Sequence, residues 1–109
     1  MWIMIAGPYR SGAADEARRV ENLRLLNQAA LALLRRGHVP VIGVNMALPV
    51  IAAGGDYDKV MMPLSLALAE RCDACLRVGG PSAGADAEVA RFVARGLPVF
   101  RSLAEALDA

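Results

Sequence analysis

The sequence has few of the residues on which nucleic-acid-binding, disulfide-stabilised and zinc proteins depend. Only 5% of the 109 residues are aromatic and 21% are charged, with a formal net charge of +1. This composition offers neither a basic stripe nor a stacking platform for a nucleic-acid polymer. Two cysteines and one histidine are too few for a disulfide scaffold or for the four ligands of a structural zinc site. We therefore expect no metal, no organic cofactor and no nucleic-acid partner.

Long apolar runs are also missing. None approaches the roughly 18 residues that a membrane span requires, and residues 1–6 lack the basic lead and cleavage site of a signal peptide. We expect a cytoplasmic protein with no membrane partner.

Apolar residues are nevertheless abundant, since 56% of the chain is hydrophobic, which is more than an ordinary domain contains. A chain of this length forms one domain. Buried strands account for part of the surplus. The remaining apolar residues lie in the Leu- and Ala-rich helices and in residues 46–51. We expect them to be buried in the interface of a homodimer or higher homo-oligomer.

Apolar runs of strand length alternate with stretches of helical periodicity. Strands are predicted for residues 2–6, 39–44, 74–78 and 97–100, and helices for residues 15–36, 63–71, 82–95 and a last stretch opening with the capping-box spacing of Ser102 and Glu105. Residues 45–57 contain Pro49 and two glycines and are predicted to form at most a short helix. Pro63 is predicted in the first turn of its helix. The alternation indicates an α/β domain whose parallel sheet is covered on both faces.

Ligands of such sheets bind at the carboxyl ends of strands, and the first candidate there is the loop from Gly7 to Gly12 after the first strand. The guanidinium of Arg10 has the geometry to bind a phosphate, and Tyr9 offers a ring for stacking or a phenol for a hydrogen bond. An ordinary surface loop is the alternative. Gly7, Tyr9 and Arg10 are thus candidate binding residues.

The second candidate follows the third strand, where Ser82 and Gly84 open a helix. Backbone N–H groups and the helix dipole favour an anion at such a terminus, although an ordinary N-cap with a tight turn explains the same residues. Glu88 lies on the second turn among apolar neighbours, where a carboxylate can act as nucleophile or base. The alternative for Glu88 is a solvated side chain that pairs with Arg91 or Arg95.

The spacing of Cys72 and Cys75 forms a CxxC motif at the point where a helix ends and a strand begins. Redox CxxC motifs open a helix instead, because the dipole there lowers the pKa of the thiol. Both cysteines are therefore predicted to be buried and structural. His38 has no neighbouring ligand or nucleophile and is assigned a structural role as well.

Four segments resemble one superfamily in residue type and order. They are residues 6–10, residues 72–75, the Ser-x-Gly-x-x-x-Glu of residues 82–88 and the Gly-x-Pro-Val of residues 96–99. Together they resemble the nucleoside 2-deoxyribosyltransferase-like superfamily, including its small nucleoside-5′-monophosphate N-glycosidases, over essentially the whole chain. The resemblance implies one such domain over residues 1–109, folded as a Rossmann-like (flavodoxin-like) three-layer sandwich with four to five parallel strands.

The resemblance also implies roles for individual residues. Glu88 matches the glutamate that attacks C1′ of the sugar and forms a glycosyl-enzyme ester, which water or a second base then resolves. Ser82 and Gly84 match residues that hold a 5′-phosphate. Tyr9 and Arg10 match the loop that lines the sugar and phosphate site. The implied partner is a nucleoside or nucleotide, and members of the superfamily are commonly dimers or larger.

One position departs from the superfamily, which usually places an aspartate eight residues before the one corresponding to Asp73. Here that position is Ser65, whose hydroxyl cannot protonate a departing base at neutral pH. Asp56 and Asp58 are the candidate substitute acids. Three functions remain open: an N-glycosidase or deoxyribosyltransferase using Glu88, a nucleotide- or phosphate-binding module without turnover, and a structural interaction domain favoured only by the apolar surplus.

Overall fold

The computed structural model describes residues 1–10 and 15–109, so the end of the loop predicted from Gly7 to Gly12 lies outside the described residues. Strands and helices alternate along the described chain. In order they are β1 (Trp2–Ala6), α1 (Glu16–Arg35), β2 (Val39–Val41), α2 (Gly43–Ala52), α3 (Tyr57–Ala69), β3 (Ala74–Arg77), α4 (Ala83–Ala94), β4 (Val99–Phe100) and α5 (Leu103–Asp108). No helix in the described part of the chain is long and apolar enough to cross a membrane.

The strands form one parallel sheet in the order β2-β1-β3-β4. Met4 of β1 pairs with Val41 on one side and with Cys75 on the other, so β1 has neighbours on both edges. This position explains its continuous apolar sequence, because a central strand covered on both faces cannot expose alternate residues to water. The predicted α/β class with a parallel sheet is confirmed.

Alternate side chains of β1 enter two separate cores, which makes the domain a three-layer sandwich. Ile3 and Ile5 pack with residues of α1 and α5, whereas Met4 and Ala6 pack with residues of α3 and α4. Because the chain first adds β2 on one side of β1 and then β3 on the other, the strand order reverses between β1 and β3. In open α/β sheets such a reversal places a crevice at the carboxyl ends of the two strands.

Several boundaries are confirmed by capping contacts. Asp15 accepts a hydrogen bond from the Arg18 N–H at the start of α1, and Ser102 accepts one from the Glu105 N–H at the start of α5. Gly37 follows the end of α1 with a φ of 87°, a conformation that glycine adopts without strain. The Glu105 carboxylate also reaches back across the helix start, where it accepts a hydrogen bond from the Arg101 N–H, one residue before the N-cap Ser102.

The region around the two prolines differs from the prediction. Residues 43–52 form the ten-residue helix α2 with Pro49 inside it, where the end of a strand followed by at most a short helix was expected. Helix α3 begins at Tyr57, so Pro63 lies in its interior and not in its first turn. The buried residues Ala47 and Met61 show that these helices are held by one packed face, and tertiary packing thus outweighs the cost of each proline. The second and fourth strands are also shorter than predicted.

Candidate functional site

A cavity of about 70 Å³ lies beside the carboxyl end of β1, between the first loop, α3 and the start of α4. Its wall contains the predicted site residues of both loops and the serine that departs from the superfamily pattern. These are Gly7, Tyr9, Arg10, Ser65, Ser82, Gly84 and Glu88. The remaining wall is mostly apolar and comes from Val44, Tyr57, Met61, Met62 and Ala85.

Glu88 is a buried carboxylate, with 8% of its surface exposed. Burial raises its pKa from 4.5 to about 7, against a smaller lowering by the positive charge of Arg77. The alternative of a solvated Glu88 paired with nearby arginines is wrong, since Arg91 and Arg95 both lie against Glu70, at 3.5 and 3.7 Å. The site therefore contains a carboxylate that takes up and releases its proton near neutral pH.

Arg77, at the end of β3, links the loop after that strand to α4. Its guanidinium donates hydrogen bonds to the carbonyl oxygens of Val78 and Gly80 and, at 3.2 Å, to the carboxylate of Asp86. Asp86 on the first turn of α4 thus forms an ion pair in addition to its favourable position at the helix dipole. Sequence reasoning missed Arg77, although a cation ending an otherwise apolar strand is a usable signal.

Ser82 is the N-cap of α4, and its hydroxyl oxygen accepts a hydrogen bond from the Ala85 N–H at 3.1 Å. The N-cap interpretation is therefore correct. It does not exclude binding of an anion at the same helix start, because the cap hydrogen bond uses only the Ala85 N–H. Ala83 and Gly84 are the first two helical residues, whose N–H groups have no acceptor within the helix. A Cβ on Gly84 would lie 3.2 Å from the sulfur of Met62, so the start of α4 is closely packed against α3.

Arg10 and Tyr57 meet at the cavity through a cation–π contact of 4.1 Å from the guanidinium carbon to the ring centre. Burial raises the pKa of the Tyr57 phenol. The loop behind Arg10 is attached to α1, since the side-chain amide of Asn22 donates to the Tyr9 carbonyl at 2.9 Å. No feature of the sequence pointed to Tyr57, because it ends the segment that was predicted to form at most a short helix.

Ser65 places a hydroxyl where the superfamily usually has a carboxylate. Its side chain is 3% exposed and faces α2, where a Cβ on Gly43 would lie 2.0 Å from the Ser65 oxygen. Asp56 and Asp58 are exposed and do not line the cavity; Asp56 caps α3 by accepting the Asp58 N–H at 2.9 Å. Of the described residues that line the cavity, Glu88 alone carries a carboxylate.

The CxxC cysteines are buried free thiols, as predicted. Burial raises the pKa of Cys72 to about 11 and that of Cys75 to about 12, which keeps both protonated and unreactive at neutral pH. The ring of His38 lies 3.0 Å from the amino group of Met1, away from the cavity. Within residues 1–10 and 15–109, no three His, Cys, Asp or Glu side chains are grouped as a metal site would require.

A larger cavity of about 580 Å³ lies on the other side of the two loops, where Pro8, Gly79 and Gly80 meet α1. Its wall is mostly apolar, and its polar side chains are Arg18, Asn22 and Gln28. No carboxylate is among the described residues that line it, so Glu88, whose pKa burial raises, and the start of α4 belong to the smaller cavity.

No protein-family model matches the chain, and no curated protein matches it either.

Proposed function

We propose that this chain is an N-glycosidase or 2-deoxyribosyltransferase that cleaves the base–sugar bond of a nucleoside or nucleoside 5′-monophosphate. It would belong to the nucleoside 2-deoxyribosyltransferase-like superfamily that its sequence resembles. The observation that carries the proposal is the buried carboxylate of Glu88, which lines a cavity together with the start of α4 and the Tyr9–Arg10 loop. A nucleophile, a helix terminus that favours an anion and a cation on the facing loop are the groups that such a substrate requires.

In the proposed reaction a Glu88 oxygen attacks C1′ of the sugar as the C1′–N bond breaks. The base leaves with the bonding electrons and takes up a proton, and the sugar remains attached to Glu88 as an ester. Water or a second base then attacks C1′, returns a proton to the group that protonated the first base and releases the carboxylate, with net retention of configuration. The proposal assigns the proton to the phenol O–H groups of Tyr9 and Tyr57, which line the cavity.

The phosphate of a monophosphate substrate is assigned to the start of α4. There the N–H groups of Ala83 and Gly84 and the helix dipole favour an anion. Arg10 adds a positive charge from the facing loop. The cavity of about 70 Å³ is smaller than the roughly 300–1,000 Å³ of ordinary ligand pockets. In the proposed complex Arg10 leaves the ring of Tyr57, and its guanidinium pairs with the phosphate.

The second candidate is a nucleotide-binding module without turnover. It is favoured by one observation, the buried hydroxyl of Ser65 at the position where the superfamily usually has its acid. Without a general acid, the loss in rate is about 10²–10⁴-fold. The phosphate site at Ser82 and Gly84 does not depend on that acid.

The test is incubation with ribo- and deoxyribonucleosides and their 5′-monophosphates, with and without a second free base, followed by chromatography of the released or exchanged base. The wild-type protein is expected to release base, and Glu88→Gln to lower the rate by at least about 100-fold. Glu70→Gln is the matched control, since Glu70 is an exposed glutamate at the C-cap of α3, outside the cavity. A sugar adduct on the intact mass of the protein would identify the ester.

Two outcomes would redirect the assignment. Turnover that survives Glu88→Gln would exclude Glu88 as the nucleophile. Saturable binding of a monophosphate without base release, weakened by Ser82→Ala, would instead establish the binding module.

A further inference from the structure

The larger cavity beside α1 has no role in the proposed function. Its volume of about 580 Å³ lies within the roughly 300–1,000 Å³ of ordinary ligand pockets. Helices α1 and α5 and the loops after β1 and β3 supply a mostly apolar wall, which includes Pro8, Leu25, Leu26, Val78, Pro81 and Leu103. Leu25 is 45% exposed, so part of the apolar surface of α1 opens into this cavity. Such a wall accommodates the apolar body of a small organic ligand.

Hydrogen bonds hold the polar parts of this wall in place. The side-chain amide of Asn22, which lines the cavity, donates to the Tyr9 carbonyl at 2.9 Å. The guanidinium of Arg77 donates to the carbonyl oxygens of Val78 and Gly80, which line the cavity from the other loop. Because these contacts fix the wall before a ligand arrives, binding carries little cost of ordering it.

Arg18 is the charged side chain of this cavity. Its neighbours Arg19 and Arg24 each donate two hydrogen bonds to the glutamate three positions earlier, at 2.6–3.0 Å. The residue three positions before Arg18 is Asp15, whose carboxylate instead caps α1 by accepting the Arg18 N–H. Within residues 1–10 and 15–109 the Arg18 guanidinium forms no ion pair. Since no acidic residue is among the described residues of the wall, the cavity selects a negatively charged ligand.

We propose that this cavity binds an organic monocarboxylate with an apolar body, separately from the substrate of Glu88. The body contacts the apolar wall, and the carboxylate pairs with the guanidinium of Arg18, whose planar fork matches two carboxylate oxygens. The amides of Asn22 and Gln28 are available to one further polar substituent. A nucleoside monophosphate fits less well, because its phosphate carries close to two charges and its ribose is polar. The proposal does not depend on any turnover by Glu88.

The first experiment is an NMR titration of the full chain with 2-naphthoate and with 2-naphthalenemethanol, a neutral alcohol on the same rings. We expect 2-naphthoate to bind with a dissociation constant below about 1 mM and the alcohol about 10-fold more weakly. Arg18→Met should abolish this preference. Arg19→Met is the matched control, because Arg19 is paired with Glu16 and lies outside the cavity. Absence of saturable 2-naphthoate binding, equal affinities of both probes, or equal effects of the two variants would overturn the proposal.

The second experiment tests the apolar wall with an exposed residue whose truncation should not prevent folding. Leu25→Ala is expected to weaken both probes about 3-fold while the preference for the acid remains. Leu34→Ala is the control, since Leu34 is 58% exposed on the same helix and does not line the cavity. Equal affinities of the two variants would exclude this wall as the binding surface.

The position of the bound acid is read from the same NMR spectra. Shift changes are expected at the backbone N–H groups of Gly79 and Gly80 and at the side-chain amide of Asn22. Changes centred on Gly84 and Glu88 would place the ligand in the smaller cavity and overturn the proposal. Glu88→Gln should leave 2-naphthoate binding unchanged, so failure of the proposed glycosidase leaves this result intact. Decanoate is titrated in parallel, and tighter binding of the ring or of the chain assigns the site to aromatic or to fatty acids.

Discussion

The guanidinium carbon of Arg10 lies 4.1 Å from the centre of the Tyr57 ring, and both side chains line the cavity that contains Glu88. The contact joins the loop after β1 to the start of α3, so it connects the two segments that face α4. A cation–π contact at a partly exposed site contributes about 0.5–2 kcal/mol. That is small enough for a phosphate to compete for the same guanidinium.

Arg10→Met is therefore expected to discriminate between phosphorylated and unphosphorylated ligands. A charge-assisted hydrogen bond contributes about 1.5–3 kcal/mol, so the dissociation constant of a nucleoside monophosphate should rise about 10- to 100-fold. That of the parent nucleoside should change little. Isothermal titration calorimetry measures both. Arg18→Met is the control, because Arg18 lines the larger cavity, and an equal effect of the two variants would contradict the role of Arg10.

Glu88 is expected to make stability depend on pH. Its pKa is about 7 in the folded chain against an ordinary value of 4.5, so between these values the folded state binds more protons than the unfolded state. The free energy of unfolding should consequently fall as pH rises through this window, by about 3 kcal/mol in total, and then level off. Urea denaturation between pH 4.5 and pH 8 measures the slope.

The matched comparison for this slope uses two glutamine variants. Glu88→Gln is expected to flatten the profile and to be more stable than the wild type above pH 7, because it removes a buried charge. Glu70→Gln, on an exposed carboxylate, should retain the wild-type slope. A wild-type profile that is flat over the window would show that burial does not shift the pKa of Glu88.

The rate of base release should also depend on the ionisation of Glu88, but it should rise with pH where the free energy of unfolding falls. Attack on C1′ requires the ionised carboxylate, so kcat/KM is expected to fall on the acid side of about pH 7. Arg77→Met removes the cation that lowers the pKa of Glu88 and should move this limb to higher pH. Asp86→Asn, which removes only the ion-pair partner of Arg77, should leave the limb in place. An unchanged limb in Arg77→Met would contradict the electrostatic link.

The sequence predicted the elements whose residues carry local signals. Strand β1 is an uninterrupted apolar run, and Ser82 and Ser102 were predicted as N-caps, which the structure confirms. The two loops containing Arg10 and Glu88 were found because a parallel sheet directs ligands to the ends of its strands. The structure then brought both residues to one cavity.

The extent of α2 and the first residues of α3, 57–62, were missed because proline is a strong local signal that tertiary contacts can override. Pro49 and Pro63 are both exposed inside their helices, so packing depends on other residues of the same turns. Tyr57 reaches the cavity because α3 begins at this residue. Its position was not predicted, because the helix was expected to begin at Pro63. The contact between Gly43 and Ser65 could not be predicted either, because the periodicity of a sequence does not indicate which helices pack against each other.

That contact leads to a prediction about stability. Gly43→Ala would place a Cβ 2.0 Å from the Ser65 oxygen and 2.8 Å from its Cβ, so the Ser65 side chain and the backbone that carries it must shift. Overpacking of this kind costs about 1–3 kcal/mol, and it should open the wall of the Glu88 cavity at the same time. Chemical denaturation is expected to show this loss of stability for Gly43→Ala.

The conflict should be relieved by shortening the opposing side chain. In Ser65→Gly the nearest remaining atom of residue 65 is the Cα, at 3.2 Å from the new Cβ. The double variant Gly43→Ala/Ser65→Gly is expected to be only slightly less stable than Ser65→Gly alone. Its loss of stability should therefore be smaller than the sum of the two single losses, by at least about 1 kcal/mol in a double-mutant cycle. Gly80→Ala is the control, because a Cβ there meets nothing within 4 Å and should be tolerated. Additive effects of the two substitutions would mean that α2 and α3 do not touch at this point.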